Sequence, residues 1–277
     1  MVVPCFNHGQ YLPEALESVR ACPAWQYELV VVDDGSDDAL TLDVLERLER
    51  DEVRVLRQPN RGLAAARNAG VAATTGRYVL PLDSDNRVRP RLLEAGIEVL
   101  DREPRTGVVY GDPELFGDRA GRREVGSFDL ERLVRSNFID ACAVVRRNLI
   151  DDCGGFDWRM PHPGNEDWQL WLCAAERGWA FDYVPEILFD YRVRGDSMLA
   201  SLKVPERRAE VFGWIVAQHP ELYGPRYPQI LADRDAELAR QSNEARAARA
   251  ESRAARREAE RARAEVERMR RIAARGH

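Results

Sequence analysis

The sequence predicts an α/β fold, a mostly parallel mixed sheet flanked by helices, followed by a long C-terminal helix. Three observations predict it. Short β-branched runs alternate with apolar residues at helical spacing over the first hundred positions, the signature of βαβ units. Acidic, Gly- and Ser-containing turns follow two of those runs, at "VVVDDGSDDA" and "YVLPLDSDN". Beyond Asp233 the chain is almost entirely Ala, Arg and Glu.

Taken in order, "VVP" from Val2 is a short strand, and Leu12, Ala15, Leu16 and Val19 fall on one helix face. "ELVVV" is the second strand; Val44, Leu45 and Leu48 mark the next helix. "VRVL" is the third strand, "GLAAARNAGVAAT" an Ala-rich helix closed by Gly76, and "RYVLPLD" the fourth strand. After Pro90 come a helix near Leu92–Leu100 and strands at "GVVYGD" and "DACAVV". Asn165 can cap a helix with Trp168, Trp171, Leu172 and Ala175 on its apolar side, which sets Glu166 and Asp167 in its first turn.

Composition narrows the function. A net charge of -6 from 41 basic and 47 acidic residues is no footprint of a nucleic-acid binder. Five scattered cysteines without CxxC spacing suggest neither a disulfide framework nor a thiolate zinc site. No run approaches the roughly 18 apolar residues of a membrane span, and "MVVPCFN" lacks the features of a signal peptide, so a cytoplasmic protein is expected.

The acids carry the chemistry. At a strand's carboxyl end Asp33 and Asp34 sit where open α/β sheets bind ligands, although Ser36 and Asp37 also suit a plain helix-capping turn. Asp83 and Asp85 of "LDSDN" are two apart, and a divalent cation would relieve their repulsion. Glu166 and Asp167 compensate a helix dipole, and that helix end should favour an ionised carboxylate able to accept a proton. Trp168 and Trp171 either pack in the core or edge a sugar-sized pocket.

Five blocks in order, "VVPCFNHGQYLPEALESV", "ELVVVDDGSDD", "NRGLAAARNAGVAATTGRYVLPLDSDN", "GGFD" and "NEDWQLWLCAAERGW" with "VPEILFDYRVRGDSML", resemble the family-2 glycosyltransferases. The resemblance runs from Val2 to about Leu199. It implies the GT-A (nucleotide-diphospho-sugar transferase) fold and inverting transfer of a sugar from a nucleotide-sugar donor, commonly a UDP-sugar, to an acceptor hydroxyl. It also implies a nucleotide-binding half over about 1–90 and an acceptor-binding half over about 91–200; beyond it, helical signals interrupted by Pro220, Pro225 and Pro228 mark a helical connector at 201–232.

Residue by residue, the resemblance places Pro4 and Phe6 at the base, Asp34 in a hydrogen bond to it, Arg67 at the nucleotide, and Asp83 by the ribose and diphosphate. Asp85 would ligate Mn2+ or Mg2+ in the DxD motif, Asp167 would be the general base, and Glu166 and Trp168 count among the substrate-binding residues. Arg194 stands where many relatives have His, and Arg192 and Arg194 are either diphosphate partners or surface ion pairs. The first strand is short or incomplete. The QxxRW motif and membrane helices of the family's processive synthases are missing from this sequence, which points to single additions. The alternative is a non-catalytic sugar-nucleotide-binding or scaffold protein acting through its C-terminal helix.

That helix, 233–277, holds 13 arginines against nine acids. With Leu238 at heptad position a, Glu244, Glu251, Glu258 and Glu265 occupy g, and Arg249, Arg256, Arg263 and Arg270 occupy e, the pairing of a parallel coiled coil. A solitary helix with local Glu–Arg pairs is the other reading, and the Arg excess also suits weak contact with anionic lipid at the inner face of a membrane. Pairing predicts a homodimer that becomes a monomer when the chain ends at Ala232. Sedimentation velocity decides it, and a full-length monomer at micromolar concentration overturns it.

Overall fold

The computed structural model describes residues 1–23, 27–195, 204–236, 239–240 and 244. It comprises two compact units, Met1–Tyr223 and Gly224–His277.

In the first unit β1 (Val2–Cys5), β2 (Val30–Asp33) and β3 (Val55–Arg57) pair in parallel in the order β1-β2-β3. Their β-branched side chains are buried: Val3, Val30, Val31 and Val32 are each 0% exposed. Helices α1 (Leu12–Arg20) and α2 (Ala39–Arg50) bury the stripes read from their spacing, Leu12, Ala15, Leu16 and Val19 on one and Val44, Leu45 and Leu48 on the other. Neither Ser36 nor Asp37 caps α2. Asp38 is its N-cap, with Oδ1 accepting from Thr41 N at 2.9 Å. Ser36 Oγ instead accepts from Asn7 N at 3.0 Å, and the Asn7 and Asp37 side chains hydrogen-bond at 2.7 Å, so this turn is tied to the end of β1.

Helix α3 (Leu63–Ala72) ends at an Ala73 cap, three residues before the Gly76 expected to close it. It lies close on the sheet, because a Cβ on Gly70 would come within 2.2 Å of Val2 Cγ1. Strand β4 (Tyr78–Val79) is short, but the chain continues alongside β1: Val2 N donates to Leu80 O at 3.0 Å and Leu82 N to Val2 O at 2.9 Å. This seam brings the acids after the fourth strand beside the end of β1.

Next come β5 (Arg87–Val88), α4 (Pro90–Arg102), β6 (Thr106–Gly117), β7 (Gly121–Arg122), α5 (Leu130–Leu133), β8 (Val144–Arg146), α6 (Arg147–Asp152), α7 (Glu166–Glu176) and β9 (Ala180–Val193). The second sheet runs β4-β8-β6-β9-β5, with β7 paired to β6. Only β6 and β9 are parallel there; the other pairs are antiparallel. Periodicity did not reveal β9, because Asp182, Pro185, Glu186 and Asp190 interrupt its apolar residues and its partner β6 lies far away in sequence.

Both tryptophans of α7 are core residues, which corrects the substrate-binding reading of Trp168. Trp168 is 6% exposed, donates through Nε1 to Leu133 O at 2.7 Å, and packs against the ring of Phe212. Trp171 is fully buried, with Nε1 on Ile139 O at 3.0 Å. A buried indole needs a partner for its N–H, and backbone carbonyls supply it here.

Helices α8 (Pro205–Gln218) and α9 (Pro220–Tyr223) also belong to the first unit. Tyr223 Oη donates to Val134 O at 2.8 Å, and the buried His219 Nδ1 pairs with Glu176 Oε2 at 2.9 Å. Residues 227–236 of the second unit are helical. Apart from residues 239–240 and 244, the heptad register from Leu238 lies outside the described residues. Among those described, no helix is long and apolar enough to cross a membrane.

Candidate active site

A cavity of about 620 Å³ opens at the carboxyl ends of β1 and β2 and beneath the first turn of α7. Pro4, Phe6, Asp34, Arg67, Asp83, Asp85, Glu166, Asp167, Arg192 and Arg194 all line it. Asp33, Trp168 and Trp171, also singled out from the sequence, do not.

The β2 acids divide their work. Asp33 Oδ1 accepts from Ser36 N at 2.9 Å and shapes the turn. Asp34 faces the cavity but also binds the loop after β3: its carboxylate accepts from Gln58 Nε2, Arg61 N and Gly62 N at 2.7, 2.9 and 2.8 Å. A carboxylate has about four acceptor sites, so little of Asp34 is left for a ligand. Phe6 projects beside it, 43% exposed.

Arg67 sits at the centre of the charge. It is 2% exposed, and its guanidinium reaches Asp83 Oδ1 at 2.6 Å and Glu166 Oε1 at 2.5 Å. Burial works against its charge, but Asp83, Glu166 and Asp167 outweigh burial and hold its pKa up. Glu166 turns its other oxygen to Gly164 N, 2.9 Å away. The Asn165 side chain makes no capping bond to α7, and Asp167 accepts from a first-turn N–H instead.

Asp167 Oδ1 accepts from Trp168 N at 2.8 Å and Oδ2 from Asn137 Nδ2 at 2.9 Å. The helix end was expected to keep it ionised. Instead burial and then the Glu166 charge push its pKa well above the usual carboxylate range, against Arg67. Burial wins because Asp167 is only 8% exposed, and a charge out of water costs more than a helix end returns.

Asp85 is pushed up to about 6, by burial and then by Asp83, with Arg194 opposing. Arg194 Nε lies 3.0 Å from Asp85 Oδ2, and Arg194 Nη2 3.2 Å from His8 Nε2. His8 Nδ1 is 2.9 Å from Ser84 Oγ. Among the described residues no group of three acids, histidines or cysteines could hold a metal alone. The neighbouring carboxylates of Asp83 and Asp85 do fit a Mn2+ or Mg2+ ion that completes its shell with substrate phosphate oxygens. Arg194 holds the place of that charge.

Arg192 is committed. Its guanidinium pairs with Glu14, donates from Nε to Asp85 O at 3.0 Å, and stacks over the rings of Tyr11 and Phe116, while its backbone N–H donates to Asn86 Oδ1 at 2.8 Å. It positions the Asp85 turn.

Sequence reasoning missed Asp140, Asn137 and His8. Asp140 lines the cavity, and burial and then the Asp83 charge raise its pKa. It sits just before β8, in a segment read only as a strand. His8 lay inside a quoted block, but nothing marked its partner Ser84.

The model of the family described as "Glycosyl transferase family 2" matches residues 1–158. The chain belongs to that family. The match takes in β1 to β8, with Asp34, Arg67, Asp83 and Asp85. This family-2 chain is 36% identical over 123 residues to the glycosyltransferase GlyG of Streptococcus pneumoniae, 44% of this chain and 40% of that protein. It spans well under half the length of the curated relatives it matches. Staphylococcus aureus TarS 1-349 in complex with UDP-GlcNAc shares its fold at TM-score 0.63 and 22% identity, over 78% of this chain and 64% of that one. The mannosyltransferase PcManGT of Pyrobaculum calidifontis, in complex with GDP-Man and Mn2+, gives TM-score 0.59 at 21% identity, over 81% and 66%. The architecture is thus the mixed α/β GT-A arrangement.

Proposed function

We propose that this family-2 chain is an inverting, metal-dependent glycosyltransferase that moves one sugar at a time from a nucleotide-sugar, a UDP-sugar in the first instance, to an acceptor hydroxyl. A cytoplasmic site of action accords with that donor class. The observation that carries the reading is a single cavity holding two carboxylate sets. Asp83 and Asp85 lie with Arg194 on the β1 side, and Asp167 lies in the first turn of α7. With a leaving diphosphate at the first set, an acceptor would approach from the second.

In this reading Pro4 and Phe6 border the base, and Asp34 holds the loop that closes over it. Arg67 keeps Asp83 and Glu166 in place and offers its charge to the nucleotide. Asp167 takes the acceptor's proton as the acceptor oxygen attacks the anomeric carbon in line, and the nucleoside diphosphate departs opposite, so configuration inverts. Asp85, with Asp83, would hold the divalent ion, whose chemistry is to offset charge on the departing diphosphate. Arg194 would then turn its charge toward the diphosphate.

Thermal shift tests the reading, since a ligand held only by the native state raises apparent stability. UDP with Mn2+ should raise Tm, and Asp85→Asn should abolish the metal-dependent part of that rise. Slow metal-dependent hydrolysis of a UDP-sugar separates an enzyme from a scaffold that only binds. No stabilisation by any nucleoside diphosphate, with or without metal, overturns the reading.

A further inference from the structure

Away from the cavity, the fold brings together two thiols that sequence spacing left apart. Cys153 follows α6 as its C-cap and is half-buried, and Cys173 lies on α7, buried at 8% exposure. The Arg177 guanidinium spans the gap between them, from the Cys173 sulfur to the carboxylate of Asp152, the residue next to Cys153, and each thiol perturbs the charge of the other. Arg177, one turn further along α7, donates from Nε to Cys173 Sγ at 3.3 Å. Its Nη1 lies 3.4 Å from Asp152 Oδ1, and Trp179 Nε1 donates to Asp152 Oδ2 at 3.0 Å, so the guanidinium is held from both sides of the pair.

We propose that Cys153 and Cys173 form an oxidant-reactive dithiol, with Cys173 as the attacking thiolate and Cys153 as the resolving thiol, which hydrogen peroxide or a comparable two-electron oxidant converts to a disulfide. A thiolate is the reactive form, and a neighbouring guanidinium and a thiol donor both favour it. The neighbouring Cys153 thiol and the Arg177 contact hold the Cys173 thiol below its free value. The other three thiols are suppressed: burial pushes Cys5 up to about 12, Cys22 up to about 11, and Cys142 well above the free value.

The chemistry balances. Cys173 sulfur attacks one peroxide oxygen, the O–O bond breaks, and the departing hydroxide takes up a proton as water, leaving a sulfenic acid. Cys153 sulfur then attacks the Cys173 sulfur, an S–S bond forms as the S–O bond breaks, and the hydroxyl leaves with the Cys153 proton as a second water. Two thiols are oxidised and one peroxide is reduced. The product would tie the end of α6 to α7, whose first turn carries Glu166 and Asp167.

The test treats the full chain with one equivalent of hydrogen peroxide at neutral pH, alkylates remaining thiols after unfolding, and maps the peptides by mass spectrometry. The expected product is a Cys153–Cys173 crosslink with Cys5, Cys22 and Cys142 still alkylated. Cys153→Ser should leave a sulfenic acid at Cys173 that dimedone captures, and Cys173→Ser should abolish the fast oxidation. Arg177 is exposed enough for Arg177→Met to fold, and that variant should move the pH midpoint of Cys173 alkylation upward. A crosslink through other cysteines, oxidation of Cys173 no faster than of Cys5, or an unmoved alkylation midpoint in Arg177→Met would each overturn the proposal.

Discussion

Asp167→Asn should cut sugar transfer by roughly 100-fold or more, the scale of a lost general base, while nucleotide binding measured by calorimetry stays near wild type. The substitution is nearly isosteric. Its Oδ1 can still accept from Trp168 N, and Asn137 must turn its amide to pair with the new NH2, weakening the 3.3 Å bond from Ile139 N to Asn137 Oδ1. The variant should not lose stability at alkaline pH. A carboxyl whose pKa rises on folding stabilises the fold below its unfolded value, and that stabilisation is lost as pH climbs through the folded value. Asp167 is such a group, so an uncharged Asn should hold the fold at least as well above that window. For the same reason kcat/KM of the wild type should rise with pH along a limb lying above the ordinary carboxylate value of about 4. Near-normal transfer by the Asn variant, or a rate limb at the ordinary value, would remove Asp167 from the role of base.

Arg67→Met should destabilise the fold by about 3–5 kcal/mol, the usual cost of stranding one partner of a buried ion pair. The stranded group is Glu166, 3% exposed; Asp83 has a side chain 31% exposed and can be solvated, so it contributes less. Adding Glu166→Gln to Arg67→Met should recover a large part of the loss, because the unpaired buried charge is then gone. Urea denaturation of the two variants and the wild type measures this. If the single variant loses under about 1 kcal/mol, the Arg67–Glu166 pair is not the strut between α3 and α7 that its geometry describes. Nucleotide binding should fall in both variants, since Arg67 lines the cavity.

Much of the fold was legible because its first half is built from local signals. Leu12, Ala15, Leu16 and Val19 point to one side of a helix whatever surrounds them, and all four are buried where that spacing puts them. The β-branched run did end as a strand at Asp33, although the acids that follow it stay buried, Asp33 at 3% and Asp34 at 4% exposure. The helix placing Glu166 and Asp167 together in one turn was likewise written in its own residues. The second half was less legible. Strand β9 pairs with β6 across more than seventy positions, and its charged residues hid an element whose stability comes from that pairing.

The amino-acid pattern alone therefore established the α/β class, the strand-end acids and the helix that begins at Glu166. It could not say which acids are available. Folding committed Asp33 to its turn and much of Asp34 to the loop at Gln58–Gly62, sent Trp168 into the core, and set Arg194 on Asp85. It also set Arg177 on Cys173 and Asn137 on Asp167. The physical reason is range. Periodicity and turn chemistry act over a few residues, whereas the charge state of a buried carboxyl or thiol depends on how much water it loses and which charges arrive from distant segments.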